Sequence, residues 1–387
     1  MNLSAIQSAL RDQKLDAWLF YDHHHRDPIA ERILGLDPHA HITRRWYYVI
    51  PAQGEPHKLV HRIEQGRLDT LPGRKTQYSS WQELQGGLES MLAQYQRIAM
   101  QYSPRNAIMY VSMVDAGTVE FLRELGKTVV SSADLVSQFE AVLSEEQIAS
   151  HYEAQQALDE ILDEGFRAIS RRVSSGVTEY AMKTWFVEAM ERAGLITENG
   201  PNVSINENSS DSHYEPTAER SRKIQNGDFL LIDIWARKNR PNTCWYDITW
   251  TGVVGREPSE REQQVFAAVR NARDAAISVV KDAFAKKKPI AGWQADDAAR
   301  ALIVDAGFAP FFTHRTGHNI ATELHGNGAH LDNLETHDER RILPFTCFSV
   351  EPGIYLPEFG IRSEVNMMTT RDKAEVTGRI QQELVRI

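Results

Sequence analysis

Apolar positions recur along the first third of the chain at two different periods. Leu3, Ile6 and Leu10 have helical spacing, and the apolar run "AWLFY" (17–21) predicts a buried strand. "RRWYYVIPA" (44–52) predicts a second strand, ended by the turn "QGEP". The helical pattern "WQELQGGLESMLAQYQ" (81–96) is followed by "RNAIMYVS" (105–112), which reads as a further strand and repeats the scheme. These segments predict a small α/β domain over residues 1–140 with no catalytic signature of its own. "SSADLVSQFEAVLSEEQ" (131–147) is the expected junction, because a long helical run follows it.

Residues 141–387 have a coarser rhythm. A helix is predicted over 147–172 from Ala154, Ala157, Leu158, Ile161 and Leu162, and a second begins at Thr178 as N-cap and ends near Gly194. Two strands follow, "DFLLIDIWA" (228–236) after the turn pair Asn226-Gly227, then "YDITWTGVV" (246–254). The order then recurs. Ser259 and Glu262 form a capping-box pattern that opens a helix through about 286, and "WQADDAARALIVDAG" (293–307) is the next helix. "TCFSVEPGIYL" (346–356) and "GIRSEVNMMTT" (360–370) are the closing strands. Two helices then two strands, twice over, predict an α+β domain built from duplicated halves.

Four acids interrupt this pattern where acids are costly. Asp233 sits inside "FLLIDIWA", Asp247 on the next predicted strand, Glu351 in "CFSVEPG" and Glu364 in "IRSEVNMM". A buried carboxylate must be hydrogen-bonded, ion-paired or bound to metal. Each half contributes one acid per strand, so both pairs are expected to meet in one cleft. Arg362, two residues before Glu364, shares its strand face. Just before the second pair lies "THRTGHNIATELHGNGAHLDN" (313–333), with His314, His318, His325 and His330. Four carboxylates and an imidazole suit two divalent cations, and the oxygen-rich ligation favours Mn, Fe, Co or Zn. His330 and His337 are read as exposed polar loop, as is "HHHRD" (23–27) with His23, His24 and His25.

Composition narrows the class further. The 387 residues are 42% hydrophobic and 25% charged, and 43 basic against 53 acidic residues leave a net charge of −10. No clustered basic surface for nucleic acid is expected. Neither a membrane span nor a secretory signal is read. Two cysteines, Cys244 and Cys347, cannot make a disulfide framework, which points to a reducing cytoplasm.

At the acids and the His-rich segment the sequence resembles the pita-bread metallopeptidases, a family that includes methionine aminopeptidase, aminopeptidase P, prolidase and the metal-free relative creatinase. The pieces that carry the resemblance are "TGHNIATELHG", "SVEPGIYL" and "IRSEV". The resemblance spans the whole chain, because the aminopeptidase P, prolidase and creatinase branch also places a smaller α/β domain before the pita-bread catalytic one. It implies Asp233, Asp247, His318, Glu351 and Glu364 as ligands of two metal ions, manganese first and zinc, cobalt or iron otherwise. Asp233 would bind one ion, His318 and Glu351 the other, and Asp247 and Glu364 would bridge. His325 and His213 match histidines that touch substrate and assist catalysis; His314, Tyr355 and Arg362 match residues lining the substrate site. Glu351 would carry a proton to the leaving nitrogen.

The implied activity is hydrolysis of the amide bond between an N-terminal residue and proline by a metal-bridging hydroxide, as an Xaa-Pro dipeptidase or Xaa-Pro aminopeptidase. A homodimer acting on small peptides in the cytoplasm is expected, with no nucleic-acid or membrane partner. The alternative is a metal-dependent non-peptidase hydrolase or lyase acting on a small zwitterionic or amidine metabolite. A non-catalytic binding protein is third, and the complete ligand set argues against it. The sequence departs from the family in "DIWARK" after the first Asp, in Thr249-Trp250-Thr251, and in Asn319 and Ala321, where glycines are usual. These departures are expected to reshape the pocket walls. Counting back from Glu351 puts His337 where prolidases carry a carboxylate-binding arginine, with Arg340 and Arg341 close by.

Overall fold

The computed structural model describes residues 1–387. The chain folds into two compact units, Met1–Phe139 and Glu140–Ile387.

The first unit is built on a six-stranded mixed sheet. Its strands are β1 (Ala17–Asp22), β2 (Trp46–Pro51), β3 (His57–His61), β4 (Arg74–Tyr78), β5 (Arg97–Met100) and β6 (Thr128–Ser131), in the spatial order β4-β3-β2-β1-β5-β6. Helices α1 (Leu3–Asp12), α2 (Pro28–Leu34), α3 (Trp81–Leu92), α4 (Ala116–Glu124) and α5 (Ala133–Glu140) accompany it. Strand β1 is apolar from Ala17 to Tyr21 because both of its faces are covered. Trp18 and Phe20 pack with Ile6 and Leu10 of α1 and Ile29 of α2, while Leu19 packs with Leu84 and Leu88 of α3. Each such fully buried side chain contributes about 1.5–3 kcal/mol.

One predicted strand is displaced. "RNAIMYVS" forms two short turns, Pro104–Asn106 and Met109–Val111, and the strand is Arg97–Met100 instead. Ile98 and Ala99 pair in parallel with β1, whereas Arg105 and Asn106 take positive φ just after Pro104, which strand geometry does not tolerate.

The second unit repeats one scheme. Helices α6 (Glu145–Arg172) and α7 (Glu179–Arg192) precede β7 (Leu195–Ile196), β8 (Asn202–Ile205), β9 (Phe229–Lys238) and β10 (Tyr246–Val253). Helices α8 (Glu260–Ala285) and α9 (Gly292–Asp305) precede β11 (Asn319–Ile320), β12 (Cys347–Val350), β13 (Gly353–Tyr355), β14 (Gly360–Arg362), β15 (Val365–Thr369), β16 (Ala374–Thr377) and β17 (Val385–Arg386). The capping box of Ser259 and Glu262 forms as expected, and Ser144 with Gln147 makes another at the start of α6. The faces sort by parity. Leu230, Ile232, Ile234 and Ala236 of β9 pack against α6 and α7, and Phe348, Val350, Val365 and Met367 pack against α8 and α9. Asp233, Asp247, Ser349 and Asn366 are therefore left on the opposite faces of their strands.

The two closing strands are each broken in two. Residues 346–356 divide at Glu351-Pro352 and residues 360–370 at Ser363-Glu364, so β12 and β15 belong to a four-stranded sheet and β13 and β14 to a separate hairpin. Pro352 has no N–H for a ladder, and both glutamates lie at the breaks. No helix is long and apolar enough to cross a membrane.

Candidate metal centre

Strands β9 and β10 are antiparallel, with Thr249 opposite Asp233 and Trp235 opposite Asp247. The two aspartates are thus diagonal neighbours on one face. Strands β12 and β15 pair Val350 with Val365, so Glu351 and Glu364 leave the ladder together at adjacent ends. The side chains of Asp247, His318 and Glu364 come within 4.8 Å of one another through one ligand atom each, and all three residues are buried. His318 Nε2 lies 3.5 Å from Asp247 Oδ2 and 3.3 Å from Glu351 Oε1. His318 Nδ1 faces the Asn319 carbonyl at 3.3 Å, which turns Nε2 toward the acids.

One hydroxyl and one guanidinium organise the carboxylates. Thr249 Oγ1, with a single proton, sits 2.9 Å from Asp233 Oδ1 and 2.8 Å from Glu364 Oε2, and accepts from Arg362 Nε at 2.9 Å. Arg362 also pairs with Asp233 Oδ2 and donates to the Tyr355 hydroxyl at 3.0 Å. The chain continues outward: the Tyr355 hydroxyl meets His314 Nε2 at 2.7 Å, and His314 Nδ1 faces the Arg315 carbonyl at 2.7 Å. This network assigns His314 as the Nδ1–H tautomer. Burial holds its pKa down to about 4, so it is neutral at pH 7.

Arg362 stands in direct contact with this crowd of carboxylates, paired with Asp233 and 3.9 Å from Glu351 Oε2. Burial first, and then Asp233 and Glu351, push Asp247 well above the usual carboxylate range; burial, Asp247 and Glu351 do the same to Glu364. Asp233 is raised by burial against the pull of Arg362. For Glu351 burial also acts upward, but His318, Arg362 and His314 outweigh it and lower its pKa. Asp247 Oδ1 and Glu364 Oε1 are buried with no hydrogen-bond donor. Donorless buried carboxylate oxygens next to an imidazole nitrogen fit a divalent cation and fit little else.

The remaining candidates fall around this cluster. The His325 ring stands edge-on to His318 with centroids 4.2 Å apart, and its pKa is driven to about 3 by the His318 charge, then by burial and by Arg315. His213 is exposed on the rim; its amide donates to Asp211 Oδ1 at 3.0 Å, and the carbonyl of Ser212 beside it lies 3.4 Å from Arg362 Nη1.

Several expectations need correction. His330 is not an exposed loop residue: it is fully buried, its Nδ1 accepts the Asn319 amide at 3.0 Å, and its own amide donates to Asp338 Oδ2 at 2.8 Å. It holds the residue next to His318. His337 is exposed, with its ring beside Trp293 and its Nδ1 on Asn333, while the Arg340 guanidinium is engaged by Asp338 and the Asn327 carbonyl. The further cation whose charge reaches His318 and His325 is Arg315. Trp250 pairs with Ile232 on the core face and lies under Arg379, away from the acids; Trp235 lies on the acid face opposite Asp247, with its indole N–H on the Glu198 carbonyl.

Other residues that serve the centre carried little signal in the sequence. Ser349 Oγ donates to Glu351 Oε1 at 2.9 Å and accepts the His318 amide at 2.9 Å. Asn366 brackets Asp247, accepting its amide at 2.9 Å and donating to its carbonyl at 2.8 Å. Gly317 lets the His318 strand approach: a Cβ there would stand 2.0 Å from the Ser349 carbonyl oxygen. Asp296, on α9, accepts from the amide and hydroxyl of Thr316 at 2.9 and 2.6 Å, from the Asn333 amide at 3.1 Å, and from Arg300 Nε and Nη2 at 2.9 and 3.0 Å. The Thr316 carbonyl in turn accepts the Glu351 amide at 2.7 Å. A carboxylate on a stripe otherwise made of Gly292, Ala295, Ala299 and Ile303 is the signal that could have found it.

Known proteins place this arrangement. The chain is 29% identical over 165 residues to an Xaa-Pro dipeptidase of Pyrococcus furiosus, a match covering 42% of this chain and 43% of that protein. The aligned part is thus less than half the length of that curated relative. Among solved structures, dipeptidase PepE from Mycobacterium ulcerans superposes with a TM-score of 0.68 at 22% identity, covering 99% of this chain and 96% of that one. A prolidase from Thermococcus sibiricus gives 0.64 at 18% identity over 100% and 98% of the two chains. Both share the whole fold, the duplicated pita-bread unit with its smaller preceding domain. The sequence profile of metallopeptidase family M24 matches residues 152–371, more than half of the chain and all five clustered acid and histidine positions, and the chain belongs to metallopeptidase family M24.

Proposed function

We propose that the chain is a metallopeptidase that hydrolyses the amide bond between an N-terminal residue and proline, with Xaa-Pro dipeptides as its substrates and two divalent metal ions as its cofactor. The observation that carries this reading is the pair of donorless buried oxygens on Asp247 and Glu364 beside His318. Family membership and the likeness to an Xaa-Pro dipeptidase support it. Asp233, Asp247, His318, Glu351 and Glu364 would hold the ions. The ions supply Lewis acidity at the scissile carbonyl and bring the pKa of water toward neutrality.

The chain's own groups do the rest. Glu351, whose lowered pKa keeps it ionised near neutral pH, takes the proton of the attacking water at a carboxylate oxygen and delivers it to the leaving nitrogen. That nitrogen is proline's ring amine and must be protonated as the C–N bond breaks. His325, held neutral, donates its ring N–H to the carbonyl oxygen as negative charge grows there. His213 and Tyr355 line the pocket for the proline ring. Arg362 and His314 spend their polar atoms on Asp233, Thr249, Tyr355 and the Arg315 carbonyl, so they enter this reading as positioning residues. Manganese as the metal, a homodimer as the assembly and the cytoplasm as the compartment complete the proposal; two buried free thiols, Cys244 and Cys347, agree with a reducing compartment.

The test is mass-spectrometric detection of products from mixed Xaa-Pro dipeptides and Xaa-Pro-Xaa tripeptides with manganese-loaded protein. Dipeptides should disappear first, and Glu351→Gln should abolish turnover. If neither class is cleaved at full metal occupancy the reading fails, and amidine and zwitterionic metabolites become the substrates to screen.

A further inference from the structure

Strand β1 ends at Asp22, in the first unit and outside the M24 match. This residue is only 1% exposed. Its Oδ1 accepts the amides of Arg26 at 2.7 Å and Asp27 at 3.1 Å, and its Oδ2 has no donor. A buried carboxylate oxygen with no partner is costly and calls for a ligand. The chain then doubles back through His24 and His25, both at positive φ. His25 Nδ1 comes to 2.6 Å from Glu31 Oε1, on α2, and its Nε2 to 2.7 Å from the Ala40 carbonyl. Glu31 is itself buried, and Arg67 Nη2 reaches the same Oε1 at 3.2 Å. One ligand atom each from Asp22, His25 and Glu31 lies within 4.8 Å of the other two.

The outer contacts are those a metal site requires. An imidazole that binds a cation through one nitrogen characteristically donates its other N–H to a carbonyl or carboxylate, and a ligating carboxylate is oriented by donors behind it. Ala40 does this for His25 and the Arg26 and Asp27 amides for Asp22, while Arg67 fixes Glu31 by pairing with its Oε1. We propose that Asp22, His25 and Glu31 form a divalent cation site, separate from the M24 centre, that takes zinc. One imidazole and two carboxylates are a ligand set zinc accepts, with a fourth position left for water. The ion would clasp the end of β1, helix α2 and the loop carrying Ala40, so its role is structural. The inference does not depend on the peptidase reading.

The experiment uses the full chain carrying Asp247→Asn and Glu364→Gln, which removes two carboxylates of the M24 centre. The protein is stripped with chelator and titrated with zinc against a chromophoric chelator, with bound metal counted by mass spectrometry. One tight zinc per chain is expected. Adding His25→Gln, at a partly exposed loop position, should weaken it at least 100-fold while the circular dichroism and melting of the stripped protein stay unchanged. Asp22→Asn, measured alongside, should give the same loss. Absence of a tight zinc in the starting variant overturns the proposal, as does a zinc retained after either added substitution.

Discussion

Replacing Asp296 by asparagine tests the chain of contacts that seats His318. The substitution keeps the shape and removes the charge. If the amide oxygen takes the place of Oδ1, the bonds to the Thr316 amide and hydroxyl survive. The amide NH2 then faces the Asn333 amide and Arg300 Nε, two donors that Oδ2 accepts at 3.1 and 2.9 Å. Two charge-assisted bonds are lost at about 1.5–3 kcal/mol each, and Arg300 loses its only carboxylate partner. Breaking such a buried pair from one side costs about 3–5 kcal/mol, or a fall of about 10 °C in melting temperature for a unit of this size. The surviving Thr316 bonds end on a neutral and weaker acceptor, and Thr316 also holds the Glu351 amide, so metal affinity should fall about 10-fold as well. Urea unfolding of the stripped protein reads the first effect, and chelator competition reads the second. A double-mutant cycle with Arg300→Met isolates the pair. A variant within about 1 kcal/mol of the parent, with unchanged metal affinity, would refute the role given to Asp296.

Two further outcomes follow from the charges. In the His25→Gln chain, where only the M24 centre responds, removing metal leaves four crowded carboxylates against Arg362; metal at about 1,000 times its Kd should restore roughly 4 kcal/mol per ion, seen as a rise in melting temperature, and a stripped protein that melts with the loaded one would contradict this. His57 is held down to about 4 by burial and by Arg74, against an ordinary value of 6.5, so the unfolded chain binds a proton that the folded chain refuses between those two values. Stability should therefore fall as pH drops from 6.5 to 4, by at most about 3 kcal/mol from this group; His57→Gln should flatten that part of a urea-midpoint profile, and an unchanged slope would argue against it.

The acids were legible because a strand's period of two makes a carboxylate among apolar neighbours conspicuous. Asp233 in β9 and Asp247 in β10 needed no knowledge of their partners to stand out. Helix starts such as Ser259 with Glu262 were legible for a similar reason, since the cap lies within four residues. What escaped the sequence depends on distant partners. His330 looks like loop because the segment 326–333 around it is rich in Gly, Asn and Asp, yet it is buried and bonded to the Asn319 amide and Asp338. Asp296 looks like a helix surface acid until Thr316 and Asn333 are brought onto it. The breaks at Glu351 and Glu364 were hidden because apolar residues resume within a few positions on either side, so the strand pattern reads on where pairing stops. Trp250 beside Thr249 was misplaced by reading a neighbour in sequence as a neighbour in space; adjacent strand residues face opposite ways.

The division of the ligands between the two halves constrains how this unit can vary. Asp233 and Asp247 belong to one half, Glu351 and Glu364 to the other, so neither half owns a complete coordination set. Cation binding is therefore a measure of alignment across the seam. The outer helices can be repacked freely so long as that alignment survives, but a one-residue slip of β9 or β10 would turn an acid to the opposite face. Insertions in this unit are therefore expected to be borne by its turns, as at 239–245, and not by the strands that carry the acids. A one-residue insertion in each place, compared by metal content, would separate the two cases.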